Sequence, residues 1–146
     1  MVLPPAAKRY RLVPWVSLLL LIAMIVPSLY ILAQEPRVIE LTADKDNLFK
    51  VSGQKAKQPV ITVKAKEVIK FKITAHVRDA EFVQKDGAIH SFTITALKDQ
   101  GWDVRLKEGM NEFVLVAPGK TGAYEVACTV KCGKGHDDMK MKMVVE

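Results

Sequence analysis

The feature that most constrains this chain is an uncharged, strongly apolar run near its N-terminus, residues 12–34. Its 23 residues exceed the roughly 20 that a helix needs to cross a hydrocarbon core of about 30 Å. Three basic residues precede the run, and such positive flanks stay on the cytoplasmic side of a membrane. The sequence therefore predicts a cytoplasmic flank over 1–11, a single transmembrane helix over 12–34 and an extracytoplasmic domain over 35–146.

A cleaved signal peptide is the alternative interpretation of the same run. Its apolar core would be longer than the usual ~7–15 residues. No Ala-x-Ala cleavage site follows, because Ile31 stands two places before Ala33. An uncleaved anchor is favoured, and either interpretation exports the rest of the chain. The predicted location is the cell membrane, with a single pass and an extracytoplasmic or periplasmic C-terminal domain.

The net charge of +6 divides between the two parts of the chain. Half of it belongs to the flank before the apolar run, which leaves residues 35–146 with 19 basic and 16 acidic residues. No cluster of Lys and Arg interleaved with aromatic residues occurs there, so we expect no nucleic acid partner.

The exported part shows the pattern of an all-β domain. Several segments alternate apolar and polar residues with period two, as in a half-buried strand. Glycine- and proline-containing turn signals separate them, and the two longer connections, 77–87 and 97–109, leave room for short helical pieces. The predicted strands are 37–43, 60–64, 67–75, 88–96, 110–117, 122–128 and 139–145. Seven short strands of this kind predict an antiparallel β-sandwich or Greek-key barrel.

Both cysteines of the chain lie in one short segment with further metal-ligating residues. Cys128, Cys132, His136 and Met139 follow the spacing C-x3-C-x3-H-x2-M between two predicted strands. Two thiolates, an imidazole and a thioether form a soft donor set that favours copper over magnesium, calcium or manganese. The segment therefore predicts a copper-binding loop on a β-scaffold.

A second imidazole is expected from another strand. His90 lies in the apolar segment 88–96, just after a turn, and a ligand at a strand end can face the loop of a neighbouring strand pair. His76 ends an earlier strand and is followed by charged residues, so we interpret it as a surface histidine.

Other interpretations of these residues stay open. Cys128 and Cys132 could form a disulfide, since exported thiols tend to oxidise. A mononuclear blue-copper site needs one cysteine, two histidines and a weak axial methionine, which would leave one thiolate unused. A binuclear centre bridged by two cysteines uses all the candidates.

The loop resembles the CuA-binding segment of cytochrome c oxidase subunit II, whose pattern is Cys-x3-Cys-x3-His-x2-Met with a glycine after the second cysteine. Cys128, Cys132, His136 and Met139 match it, and residues 90–92, His-Ser-Phe, match the strand that carries the family's upstream ligand. The similarity covers residues 67–146 well and the first strands loosely.

The resemblance implies a cupredoxin fold with two copper ions bridged by the two cysteine sulfurs. It implies that His90 and Met139 complete one copper, and that His136 and the backbone carbonyl of Val130 complete the other. It also implies electron transfer, from a donor such as a cytochrome c or a small copper protein, to the catalytic subunit of an oxidase or another membrane redox complex. Reduction of oxygen would then belong to that other subunit.

The sequence departs from the family pattern at several positions. Val130 stands where the family usually has a glutamate that reaches a magnesium site shared with the catalytic subunit. The tryptophan-rich strand for electron entry has no counterpart in residues 60–75, and the domain is mildly basic rather than acidic. The alternative functions are a membrane-anchored copper-binding or copper-delivery protein, a mononuclear cupredoxin and a disulfide-closed interaction domain.

Overall fold

The computed structural model describes residues 35–146, which form nine strands in two sheets. The strands are β1 (Arg37–Ala43), β2 (Phe49–Val51), β3 (Val60–Val63), β4 (Val68–Ala75), β5 (Ala88–Thr93), β6 (Asp103–Lys107), β7 (Gly109–Val116), β8 (Gly122–Ala127) and β9 (Lys140–Val145). Three short 3-10 helices lie in the connections, at Ala80–Phe82, Thr95–Gln100 and His136–Asp138. The predicted all-β class is confirmed for the described residues.

The first sheet has four strands in the order β2-β1-β4-β7. Its central strand β4 buries Ile69, Phe71 and Ile73 completely, whereas the intervening Lys70 and Lys72 are only partly buried. This alternation is the period-two pattern seen in the sequence, and it directs one face of the sheet into the core. β4 runs parallel to β1 and antiparallel to β7.

The second sheet has five strands in the order β3-β9-β8-β5-β6. β9 is parallel to β3 and antiparallel to β8. The expectation of purely antiparallel pairing is therefore wrong for β1 with β4 and for β3 with β9. Short loops favour antiparallel neighbours in a sequence-based prediction, but here longer connections carry strands across the sandwich.

The two sheets pack around a core of aromatic and aliphatic side chains. Phe71 from the first sheet lies 5.0 Å from Phe92 of the second sheet, measured between ring centroids. Trp102 is buried, and its indole N–H donates to the carbonyl of Val116 at 3.1 Å. On β9, Met141 and Met143 point into the same core.

Seven of the nine strands lie where the sequence predicts them, and two do not. β6 occupies part of the connection predicted over 97–109, and β2 has only three residues. The predicted flank and transmembrane helix, residues 1–34, lie outside the described residues. Within residues 35–146, none of the helices has the length and apolar character needed to span a membrane.

Candidate metal centre

The candidate ligand loop connects β8, which ends at Ala127, to β9, which begins at Lys140. The backbone N–H of Cys128 donates to the carbonyl of Met139 at 3.0 Å and closes the neck of this loop. Between these residues the chain turns through the 3-10 helix His136–Asp138. A twelve-residue loop closed at its neck brings donors at both ends and at its tip close together.

The two cysteines are buried free thiols in the described structure. Their sulfur atoms lie 3.9 Å apart, well beyond the bond length of about 2.05 Å in a disulfide. The Sγ of Cys132 lies 3.5 Å from Nδ1 of His136 and 3.9 Å from Sδ of Met139. The Sγ of Cys128 lies 3.1 Å from the carbonyl oxygen of Val130.

His90 approaches the thiols from β5. One of its ring nitrogens and the two cysteine sulfurs lie within 4.8 Å of one another. Its Nε2 lies 3.2 Å from the carbonyl oxygen of His76. A carbonyl can only accept, so Nε2 carries the proton and the Nδ1 of the neutral ring keeps a free lone pair.

That Nδ1 is buried and has no hydrogen-bond partner among residues 35–146. A buried nitrogen without a partner is costly unless something coordinates it. The lone pair, the two thiols and the thioether together offer soft and borderline donors that suit copper. The residues present therefore fit a copper site.

The thiols influence each other's ionisation. Hydrogen bonding to the Cys132 thiol lowers the pKa of Cys128 most, against the opposing effect of burial. The neighbouring His90 side chain lowers this pKa further, as does the backbone N–H of Ser91, 3.3 Å from the Cys128 sulfur. The neighbouring Cys128 and burial raise the pKa of Cys132. One thiolate is thus readily available in the metal-free protein, and the second proton leaves with more difficulty.

The structure brings together all the residues that the sequence singled out in the loop and His90. Cys128, Cys132 and Met139 are buried, whereas His136 is partly exposed. Val130 is also buried and its carbonyl faces Cys128. Among the candidate ligand side chains, His136 is therefore the one that is accessible to solvent.

The side chain of His76 lies outside this cluster. Its imidazole is 38% exposed and lies 3.5 Å from a carboxylate oxygen of Glu108. Its contribution to the site is the backbone carbonyl that orients His90. The position agrees with the prediction of a surface histidine.

Sequence reasoning missed the polar residues that surround the loop. Ser91 and Thr93 are completely buried on β5, and Asn47 is completely buried in the turn between β1 and β2. Ser91 was visible only as the neighbour of His90. Asn47 gave no signal, since an asparagine directly after the charged residues Asp44, Lys45 and Asp46 is typical of an exposed turn.

No model of a known protein family matches the sequence, and a comparison with curated proteins gives no significant match. Comparison of the structure is more informative. A chain of a heme-copper terminal oxidase dimer shares 19% sequence identity and has a TM-score of 0.53, over 90% of this chain and 95% of that chain. The periplasmic domain of subunit II of cytochrome oxidase from Bradyrhizobium japonicum shares 19% identity and has a TM-score of 0.50, over 77% of this chain and 86% of that domain.

Fet3p, described as a multicopper oxidase that functions in iron import, is similar over a smaller part of its length. It shares 16% identity with a TM-score of 0.51, over 77% of this chain and 23% of Fet3p. These similarities show the fold alone: residues 35–146 form a cupredoxin-like β-sandwich. The periplasmic domain of cytochrome oxidase subunit II and a part of Fet3p share this fold.

Proposed function

We propose that this protein transfers electrons through a binuclear copper centre of the CuA type, as a subunit II-like component of a membrane respiratory complex. The observation that supports the proposal most directly is the convergence of two unbonded, buried thiols on the imidazole of His90, whose Nδ1 has no hydrogen-bond partner among residues 35–146. A mononuclear site would leave one of these thiols buried without a role.

In this proposal the side chains of Cys128 and Cys132 would together hold two copper ions. His90 and Met139 would add ligands for one ion, and His136 and the carbonyl oxygen of Val130 would add ligands for the other. When bound, the copper pair accepts and donates a single electron. The protein supplies the ligands and a dry environment, because both sulfurs and Met139 are buried.

The scaffold holds these ligands in place before a metal arrives. His90 is oriented by the carbonyl of His76, and the sulfur of Cys128 receives the backbone N–H of Ser91. Such outer hydrogen bonds fix ring orientation and tune the electron density on sulfur. A rigid ligand frame needs little rearrangement when the charge of the centre changes, which favours rapid electron transfer.

The proposed setting is extracytoplasmic and anchored in the cell membrane by residues 12–34. The uncharged sequence of that segment supports it, as does the fold shared with a periplasmic oxidase domain. The proposed partners are an oxidase catalytic subunit and an electron donor such as a cytochrome c or a small copper protein. Val130 replaces the family's usual glutamate, so any contact with a catalytic subunit would lack that carboxylate.

Copper loading of the full-length protein in detergent tests the proposal. We expect two coppers per chain, and an electron spin resonance spectrum in which one unpaired electron interacts with both nuclei. Replacing Cys128→Ser or Cys132→Ser should abolish this shared signal, whereas His76→Ala should leave it unchanged.

Other outcomes correspond to the alternative functions. One copper with a blue-site spectrum would contradict the binuclear centre and support a mononuclear cupredoxin. Failure of the reduced protein to bind copper would support a disulfide-closed domain. Rapid transfer of bound copper to an acceptor protein would support copper delivery in place of electron transfer.

A further inference from the structure

We propose that Asn47 is a positioning residue for the ligand loop, which fixes the backbone between Cys132 and His136. The role of Asn47 toward copper ligands rests on the proposed function. The hydrogen bonds of Asn47 are present in the metal-free protein, so their effect on the loop can be tested without copper.

Asn47 lies in the turn that connects β1 to β2. Its backbone N–H donates to the carbonyl of Asp44 at 2.9 Å, and its φ angle is +56°. Asparagine tolerates this left-handed conformation better than most residues. The Asn47 side chain is fully buried, although the neighbouring Lys45 and Asp46 are exposed.

The side-chain amide uses both of its N–H donors on the ligand loop. Nδ2 donates to the carbonyl of Cys132 at 3.1 Å and to the carbonyl of Lys134 at 2.8 Å. The loop's own hydrogen bonds use other acceptors, since His136 and Asp138 donate to the carbonyls of Gly133 and Gly135. Asn47 therefore satisfies acceptors that the short helical turn of the loop leaves free.

The stretch between the two ligands has little stiffness of its own. Gly133 and Gly135 both have positive φ angles, +108° and +96°, and glycine loses the most conformational freedom when it is ordered. The Sγ of Cys132 nevertheless lies 3.5 Å from Nδ1 of His136. Constraints from outside the loop are needed to hold this spacing. Asn47 supplies two hydrogen bonds, and Arg78 adds one of 3.2 Å to the carbonyl of Lys134.

The fit between the turn and the loop is close. A Cβ atom on Gly135 would lie 3.4 Å from the carbonyl oxygen of Asp46 and 3.7 Å from Cβ of Asn47. There is accordingly limited room for a side chain at position 135.

The carbonyl oxygen of the Asn47 amide is buried without a partner among residues 35–146. An unpaired buried oxygen disfavours folding, so the two N–H donors are the contribution that this amide makes. A second observation agrees: the turn that contains Asn47 joins two strands of the four-stranded sheet, whereas the ligand loop joins two strands of the five-stranded sheet. The contact therefore ties the ligand loop to the opposite sheet.

The test compares Asn47→Gly and Asn47→Asp with the wild type. Glycine keeps the left-handed backbone and removes both donors, whereas aspartate keeps the shape and presents only acceptors to the two carbonyls. Lys66→Gly is the matched control, because Lys66 also has a left-handed backbone, with φ +61°, and is exposed.

The first measurement uses the metal-free, reduced, full-length protein. We expect hydrogen exchange at the amides of His136, Asp138 and Met139 to become at least about 10-fold faster in Asn47→Gly. Exchange at the core strand β4 should stay within a factor of about 2 of the control, which separates local loosening from general destabilisation. If Asn47→Asp does not fold, Asn47→Gly alone carries the test.

The second measurement is the rate at which a Cu(I) chelator removes copper from the loaded protein. We expect an increase of about 10- to 100-fold in both Asn47 variants, together with an altered spin resonance spectrum. Exchange rates and copper loss equal to those of Lys66→Gly would overturn the inference. If the wild type itself bound no copper, the proposed function would fail, while the exchange measurement would still decide the role of Asn47.

Discussion

At the scale of single residues, Cys128 and Cys132 behave as a coupled pair. The pKa of Cys128 is lowered, chiefly by its hydrogen bond with Cys132, and the pKa of Cys132 is raised by Cys128. Unfolding separates the thiols and returns both pKa values to about 9.0. The ionisation of this pair therefore makes the stability of the metal-free protein depend on pH.

The sign of that dependence changes near pH 9. Below it, the unfolded chain keeps a proton on Cys128 that the folded protein has already lost, so stability rises with pH. Above it, the unfolded chain releases both protons while folded Cys132 keeps its own, so stability falls. We expect the free energy of unfolding, compared with that of the double variant Cys128→Ser/Cys132→Ser, to differ most near pH 9. Urea titrations between about pH 7 and pH 10.5 measure it, and a constant difference would contradict the coupling.

A chain of hydrogen-bonded hydroxyl groups on β5 reaches the residue that follows Cys128. The hydroxyl of Thr93 donates to a carboxylate oxygen of Asp103 at 2.8 Å and lies 2.9 Å from Oγ of Ser91. Oγ of Ser91 in turn accepts the backbone N–H of Thr129 at 2.8 Å. The residue after the first cysteine is thereby tied to the strand that carries His90.

Replacing Thr93→Val should weaken this chain without changing the shape of the side chain. The buried oxygen of Ser91 then loses a partner, and we expect a loss of about 1–3 kcal/mol in the free energy of unfolding. Thr62→Val is the control, because Thr62 is exposed on β3, and it should change stability by less than about 0.5 kcal/mol. Equal effects of the two substitutions in urea unfolding would show that the chain contributes nothing.

At the scale of elements, the ligand loop packs against the connection between β4 and β5. A Cβ atom on Gly133 would lie 3.1 Å from Cε2 of Phe82 and 3.4 Å from a carboxylate oxygen of Asp79. Arg78 adds a hydrogen bond of 3.2 Å to the carbonyl of Lys134. This connection, which the sequence shows only as a break between strands, forms one wall around the loop.

Gly133→Ala measures how closely the two segments fit. An alanine at position 133 must take the left-handed backbone conformation, which costs about 1–2 kcal/mol of stability. Its methyl group also presses on Phe82, and such overpacking costs about 1–3 kcal/mol more. Gly53→Ala provides the comparison, since Gly53 has φ +80° and open space around its Cβ position. We expect Gly133→Ala to destabilise the protein more in urea unfolding, and Phe82→Ala to restore part of the difference. Equal losses of unfolding free energy in Gly133→Ala and Gly53→Ala would mean that the Phe82 ring moves aside without cost.

Period-two alternation predicted the long strands well because each has one face in the core. β4 and β9 are examples, with Ile69, Phe71, Met141 and Met143 all buried. β6 escaped prediction because it is an edge strand with the sequence Asp-Val-Arg-Leu-Lys, in which only Leu106 is fully buried. β2 is too short for any periodicity to appear.

The candidate ligands were predictable from spacing because their chemistry is concentrated in one loop. Their supports were not, since each depends on tertiary contacts. The carbonyl of His76 and the amide of Asn47 reach the site only because β1 and β4 end beside it. Parallel pairing of these two strands places both connections at the same end of the sheet.

At the scale of the whole domain, the two sheets have different tasks at the site. The candidate ligands come from the five-stranded sheet, on β5 and between β8 and β9. The groups that hold them come in part from the four-stranded sheet, through Asn47 after β1 and His76 after β4. Ligand geometry is therefore coupled to the packing of one sheet on the other.

This arrangement predicts that copper stabilises the whole domain. A metal that binds the folded state at 100 times its dissociation constant adds about 2.7 kcal/mol to the free energy of unfolding. For a domain of this size the unfolding temperature should then rise by about 10 °C. Calorimetry of the reduced protein with and without copper measures the shift.

The same experiment on Cys128→Ser separates site-specific stabilisation from adventitious binding, because that variant should show little or no shift. Asn47→Gly should show a smaller shift than the wild type, since part of the binding free energy is then used to order the loop. An undiminished shift in Asn47→Gly would mean that copper itself sets the loop geometry, whereas a reduced shift means that the opposite sheet sets it in advance.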